Sequence, residues 1–276
     1  CLLNLLGTYI RLKVVNIVWA GLSNTGKVKE NNEDHYAIVP PQYPELPYIF
    51  AISDGVGGRK GGDLASVRAI QVISDYFVRH LPKSYNSPEV TQKAFEIANR
   101  DLRLTGSSNA NLSGMGTTVV FAALFDDTLQ VTWIGDSRAY VVRKNNLEQV
   151  TVDHTLPNEL FKRGSITEKQ LKNHPCKHHL VRALGIDETV KPEMVQIPAQ
   201  NLEWLVLCTD GLYEHVSDME IQGAIHKLND PTLVTKKLIQ LALSRGGTDN
   251  VTVVVVKIAG TQTKEDKASK NRFGIF

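Results

Sequence analysis

Cysteine is scarce in this chain. The three residues, Cys1, Cys176 and Cys208, stand far apart, and no two have the spacing of a metal knuckle or a redox pair. That excludes a small disulfide-stapled scaffold, and a reducing, cytoplasmic setting is expected. An excess of either charge is also missing. Thirty-one basic residues against twenty-nine acidic ones leave a net charge of +2, so the electrostatics favour neither a nucleic-acid partner nor a membrane partner. No apolar run is long enough to span a bilayer. The apolar opening, CLLNLLGTYI, is too short for that, has no charged segment before it and no small-residue cleavage site after it. Residues 1–12 are therefore expected to be an extension or a fragment boundary. Internal repeats, long linkers and low-complexity blocks are absent too, and the polar residues 260–276 are expected to form a disordered tail.

What remains is 276 residues, 42% of them hydrophobic, enough for a sizeable core. Strand-like runs dominate the first and last thirds: Ile17–Ser23, His35–Val39, Tyr48–Ser53, Thr117–Phe125, Leu129–Ile134, Ala139–Arg143, Met194–Ile197, Trp204–Thr209 and Val251–Ile258. Asp126-Asp127 and Lys144-Asn145-Asn146 read as hairpin turns. A helix is predicted over Asp63–Leu81, with Leu64, Val67, Ile70, Ile73 and Phe77 on one face and Pro82 as its stop. Ser87-Pro88 opens a second helix facing inward through Val90, Ala94, Ile97, Ala98 and Leu102. Ser217-Asp218-Met219-Glu220 is a capping box. Asp230-Pro231 starts a last helix with Val234, Leu238, Leu241 and Ala242 inward, ended at Gly246-Gly247. Short turns between strands imply antiparallel pairing. The pattern reads as α+β, two packed sheets covered by helices. The polar, His-rich stretch Leu156–Leu180 is predicted to be a helical excursion, or flap, outside the core.

The aspartates carry the chemistry. Tyr48–Ser53 runs into Asp54-Gly55, Leu129–Gly135 into Asp136, Trp204–Thr209 into Asp210-Gly211, and Thr248-Asp249-Asn250 leads into the last strand. Glu33-Asp34 precedes another. A lone Asp-Gly is an ordinary turn. Carboxylates at the tips of so many buried strands are costly unless their charge is compensated, and gathered at one end of a sheet they would repel one another without divalent cations. All-oxygen ligation suits Mg²⁺ or Mn²⁺.

In this order, Gly26–Asp34, Ser53-Asp54-Gly55-Val56-Gly57-Gly58, Gly114-Met115-Gly116-Thr117-Thr118, Gly135-Asp136-Ser137-Arg138-Ala139-Tyr140, Thr209-Asp210-Gly211 and Gly247–Thr252 resemble the motifs of the metal-dependent (type 2C) protein serine/threonine phosphatases, in the style of the compact bacterial members. The resemblance implies a four-layer α-β-β-α sandwich over residues 13–259, with a two- or three-metal site at one end. The implied reaction is hydrolysis of phosphoserine and phosphothreonine on proteins by a metal-activated water, opposing a Ser/Thr kinase. It further implies Asp54 as the bridging ligand with the Gly55 carbonyl beside it, Asp210 and Asp249 on the first metal, Glu33 and Asp34 on the second, and Asp136 on a third. Asn250 and Ser137 are expected to support these ligands or shape turns.

Two departures stand out. Lys29 occupies the place where many bacterial members carry an arginine that grips the substrate phosphate; a lysine supplies a point charge without the bidentate fork, and Arg59 or Arg182 is a candidate to share the task. Val56 stands where eukaryotic members carry a histidine, and it cannot donate a proton. His154 is expected to have a structural role. His174, Cys176, His178 and His179 offer zinc-type donors, but a solvated loop is the simpler reading. Two alternative functions remain open: a phosphoprotein-binding adaptor that has lost activity, and a metal phosphatase of small phosphoesters. A monomer is expected.

Overall fold

The computed structural model describes residues 16–43, 46–56, 61–81 and 88–259. The expected extension and tail lie outside them, as do Gly57, Gly58, Arg59, Pro82 and Ser87. In chain order the elements are β1 (Asn16–Asn24), β2 (Asp34–Val39), β3 (Tyr48–Val56), α1 (Gly62–His80), α2 (Pro88–Ser108), β4 (Gly116–Thr117), β5 (Val119–Leu124), β6 (Thr128–Ile134), β7 (Arg138–Arg143), β8 (Asn146–Gln149), α3 (Leu156–Lys162), α4 (Glu168–Lys172), β9 (Glu193–Pro198), β10 (Trp204–Cys208), α5 (Asp210–Tyr213), α6 (Asp218–Leu228), α7 (Pro231–Ser244) and β11 (Val251–Ala259). One sheet has the order β1-β11-β10-β7-β8. The other runs β2-β3-β5-β6-β9, with β4 added to β3. Neighbouring strands pair antiparallel throughout.

Side chains alternate across a strand, and here both faces are buried. In β11, Val254 and Val256 point between the sheets, whereas Val253 and Val255 join the cluster under α6 and α7. In β3, Phe50 and Ile52 face the other sheet, and Ile49 and Ala51 meet α1 and α2. Burial on both faces explains why these strands read as unbroken apolar runs. The result is the four-layer α-β-β-α sandwich.

The structure corrects some local expectations. Leu64 and Val67 are 38% and 42% exposed. Ile70, Ile73 and Phe77 are buried as expected, and Ala65, Ser66 and Ala69 complete the buried face of α1. Small residues let the helix lie close to the sheet, and they are weak signals in a search for large apolar spacing. In α2, Ile97 is half-buried while Phe95 and Asn99 are buried; in α7, Leu241 is half-buried. Strand β8 was not anticipated, because Asn-Leu-Glu-Gln is polar. It forms as the second arm of a hairpin whose turn residues, Lys144 and Asn145, take φ of 48° and 61°. Thr117–Phe125 divides at Thr118 into β4 and β5, and β3 runs on through Asp54 to Val56. The segment 156–180 holds the short helices α3 and α4, as its reading as a helical excursion anticipated.

Candidate metal centre

The alternation that builds the core also aims the acids. Asp54 continues the inward row of Phe50 and Ile52, and Asp34 continues that of Tyr36 and Ile38. The register sets Asp34 directly opposite Asp54. Like charges so placed destabilise a sheet. From the facing sheet, Thr209 extends the row of Leu205 and Leu207, and Thr252 precedes Val254 and Val256. Both hydroxyls donate to Asp34 Oδ2, at 2.8 and 2.7 Å. Asp34 Oδ1 is buried with no partner. Burial pushes the Asp34 carboxyl up to about 7, against the pull of the two hydroxyls.

Asp54 is fixed through its backbone. Its carbonyl accepts from Thr117 Oγ1 at 2.8 Å and from the Thr118 amide at 2.9 Å, and its amide donates to Thr118 Oγ1 at 3.0 Å. Thr118 Oγ1 in turn hydrogen-bonds Ser137 Oγ at 2.7 Å, beside Asp136. Burial, and then the charges of Asp34, Asp210, Asp136 and Asp249, hold the Asp54 carboxyl well above the usual range. The next residue must be small: a Cβ on Gly55 would lie 2.2 Å from the Gly62 carbonyl oxygen, where α1 begins. The close approach that requires glycine is thus to the first turn of a helix.

Asp210 opens α5 after Thr209. Its Oδ1 is buried and unpartnered, and burial followed by the charges of Asp249 and Glu214 pushes its carboxyl up to about 6. Asp249 lies just before β11, with the Lys29 ammonium 2.8 Å from its Oδ1. Asn250 fastens the neighbouring loop: its Oδ1 accepts from the Glu33 amide at 2.8 Å, and its Nδ2 donates to the carbonyls of Thr25 and Asn31 at 2.8 and 2.9 Å. Burial raises the Glu33 carboxyl. Asp136 is buried, and its carboxyl is raised first by burial and then by Asp210 and Asp153. Beneath it Arg138 makes a two-pronged pair with Asp153 at 2.7 to 3.2 Å and stacks 3.5 Å over the Tyr213 ring, whose hydroxyl donates to the Asp136 carbonyl.

The structure therefore brings Lys29, Glu33, Asp34, Asp54, Asp136, Asp210 and Asp249 to one end of the sandwich. Two buried carboxylate oxygens without partners, and carboxyls that raise one another, fit an all-oxygen set for hard divalent cations. Among the described residues, the three whose ligand atoms converge within 4.8 Å are Asp136, Asp210 and His178. The other acids form a wider ring. The zinc-type cluster weighed for the flap does not assemble among the described residues: Cys176 is exposed, and its amide donates to His174 Nδ1 at 3.1 Å. Arg182 is occupied by Glu159 and Glu193 at 3.1 and 3.2 Å. His154 is fully buried; its Nδ1 accepts from the Gly135 amide at 3.1 Å and its Nε2 faces Glu193 at 3.3 Å. Thr118, Thr209, Thr252 and Arg138 lie within the motifs quoted from the sequence, but sequence reasoning gave them no role, and it missed the pairing of Arg138 with Asp153.

An α-β-β-α sandwich with a ring of acids gathered at one end has the donor set of a divalent-metal centre. The comparisons narrow the class. Residues 25–240 match the family model described as Protein phosphatase 2C. The serine/threonine phosphatase stp of Listeria monocytogenes is 32% identical over 247 residues, covering 88% of this chain and 97% of that protein. The crystal structure of serine/threonine phosphatase Stp1 from Staphylococcus aureus superposes with a TM-score of 0.82 at 30% identity, covering 89% of this chain and 96% of that one. That of the Mycobacterium tuberculosis serine/threonine phosphatase PstP/Ppp gives 0.77 at 30% identity, covering 88% and 98%. The chain belongs to the protein phosphatase 2C family.

Proposed function

We infer that this chain is a metal-dependent protein serine/threonine phosphatase. One observation carries the reading beyond family membership: Asp34 and Asp54 face each other across a sheet register, with Asp210 completing the group from the other sheet and buried carboxylate oxygens left unpartnered. Burial raises these carboxyls, and a divalent cation among them would offset the charge of their ionised forms. Asp54, Asp210 and Asp249, with the Gly55 carbonyl, would hold a first Mn²⁺ or Mg²⁺. Asp54, Glu33 and Asp34 would hold a second, and Asp136 a third. When bound, such ions lower the pKa of a water and neutralise phosphoryl oxygens during in-line attack.

The protein's own groups position the substrate. Lys29 supplies a cation at the rim, released from Asp249 once that carboxylate has another partner. Val56 borders a cleft of about 460 Å³ lined also by His178, Leu180, Arg182, Ile186 and Asp187. This cleft would take residues flanking the phosphoryl group and keep bulk water from its apolar side. A Ser/Thr kinase with the same substrates, and a monomeric enzyme working in the cytoplasm, complete the reading. No helix among the described residues is long and apolar enough to cross a membrane.

The test is phosphate release from a phosphothreonine peptide with Mn²⁺, with Mg²⁺ and with EDTA. Release with metal and none with EDTA is expected. No release with any metal, from folded protein, would favour the adaptor reading; turnover of small phosphoesters alone would favour the third.

A further inference from the structure

We propose that His178, on the flap, is a protein ligand of the third divalent cation, the one Asp136 would hold and Asp210 would share with the first, so that metal binding at that position latches the flap to the sandwich. The inference rests on the metal-dependent reading above and adds a nitrogen donor to it. Three features of the structure support it.

First, the donor atoms of Asp136, His178 and Asp210 lie within 4.8 Å of one another, the tightest such grouping among the described residues. His178 Nδ1 stands 3.9 Å from Asp210 Oδ2. That separation is too long for a hydrogen bond and lies within the span of two donors on one ion, each about 2.1 Å from it. Secondly, a carboxylate stands beside the other ring nitrogen. His178 Nε2 lies 2.6 Å from Glu214 Oε1. The approach is poorly directed and that buried oxygen completes no regular hydrogen bond, but it sets a carboxylate behind the ring. Nδ1 is the ring nitrogen that stands toward Asp210. A carboxylate behind a ligating imidazole is the usual support of a metal-bound histidine. Thirdly, the position is built. The turn carrying His178 closes through the His179 amide on the Cys176 carbonyl at 3.0 Å. It is pinned by the Thr155–Leu180 bridge and by the Leu156 amide on the His179 carbonyl at 2.8 Å. One residue back from Thr155, the His154 amide donates to the Gly135 carbonyl at 2.9 Å, next to Asp136. The same backbone thus places both the histidine and the aspartate.

An imidazole changes which ion the position prefers. Nitrogen ligation suits Mn²⁺ and later transition ions better than Mg²⁺, which favours oxygen and water. The experiment uses the full chain loaded with Mn²⁺. Mn²⁺ equivalents are counted by titration, and electron spin-echo modulation reads ¹⁴N bound to the ion. Wild type should show ¹⁴N modulation that becomes ¹⁵N modulation in protein made with ¹⁵N-histidine. His178→Ala should lose it and weaken the weakest Mn²⁺ class by about tenfold or more. Glu214→Gln should keep the nitrogen signal and weaken the same class. Mn²⁺ bound without nitrogen modulation in wild type, or modulation unchanged in His178→Ala, would overturn the assignment and leave the phosphatase reading intact. No Mn²⁺ bound at all would overturn both. The isotope measurement needs no variant, so a poorly folding substitution does not shield the proposal.

Discussion

Replacing Asp34 with Asn should stabilise the metal-free protein. Asp34 is 7% exposed, it faces Asp54 across the register, and its carboxyl is pushed up to about 7. An acid whose folded pKa is raised favours folding only while it is protonated. Its contribution is fully present below the unfolded value near 3.8 and is lost as pH rises through the folded value near 7. At 1.36 kcal/mol per tenfold, the ionised side chain costs the fold about 4 kcal/mol at pH 8. Asparagine removes the charge, can still accept from the Thr209 and Thr252 hydroxyls, and turns a donor toward the remaining acids. The assay is thermal unfolding in EDTA. Asp34→Asn should melt several degrees above wild type at pH 8, at about 2–4 °C per kcal/mol for a chain of this size. At pH 5 the folded carboxyl is protonated while the unfolded one is still largely ionised, and the gap should shrink to less than half. With Mn²⁺ at a hundred times its Kd the wild type should recover about 2.7 kcal/mol for each ion that Asp34 helps to hold. An EDTA-treated variant that melts at or below wild type at pH 8, or a gap that ignores pH, would refute the reasoning.

Other substitutions probe other parts of the same edge. Asp54→Asn or Asp210→Asn should lower phosphopeptide turnover by about a thousandfold or more, since several kcal/mol of charge stabilisation is lost, with an unchanged circular dichroism spectrum. Gly211→Ala would put a Cβ 2.0 Å from the Asn250 carbonyl oxygen; overpacking of about 1–3 kcal/mol should lower the Tm, and displacing the residue that fastens Glu33 should lower activity with it. Arg138→Ala leaves the Asp153 carboxylate in the interior without its two-pronged partner, a loss of about 3–5 kcal/mol readable by urea unfolding. Lys29→Arg should lower KM for a phosphopeptide and leave kcat nearly unchanged, because a fork replaces a point charge; an unchanged KM would return Lys29 to a purely surface role.

Much of this was legible in the chain, for physical reasons that differ from place to place. Val251–Ile258 and Tyr48–Ser53 were readable as strands because burial on both faces leaves no polar interruption. The acids were readable because they end those runs abruptly. On α1, Ile70, Ile73 and Phe77 were read correctly, but Leu64 and Val67 were put where Ala65 and Ala69 face inward by being small, which hydrophobic spacing does not weigh. Strand β8 was invisible because an edge strand held by a hairpin needs no apolar residue. The threonines around Asp34 and Asp54 were missed for another reason. A hydroxyl that supports a ligand looks, in one sequence, like any β-branched strand residue, and only the register reveals what it touches. His178 was read as part of a solvated loop because its partners, Asp136 and Glu214, lie 42 and 36 positions away in the chain.

The cost of the acid edge explains how the rest of the fold is built around it. A sheet that sets Asp34 opposite Asp54 would slip or fray at that end if the strands were weakly registered. Slippage by one residue would carry Phe50 and Ile52 out of the inter-sheet core, so the apolar face holds the register against the repulsion of its own acids. The polar supports act in the same sense. Thr209 and Thr252 reach from one sheet to an aspartate on the other, Thr118 joins the Asp54 backbone to Ser137 and so to the Asp136 turn, and Asn250 ties the start of β11 to the Glu33 loop. Each bond crosses between segments distant in sequence, and none neutralises a charge. They hold the carboxylates in place and leave the neutralisation to the ions, as a site arranged before its metal arrives requires.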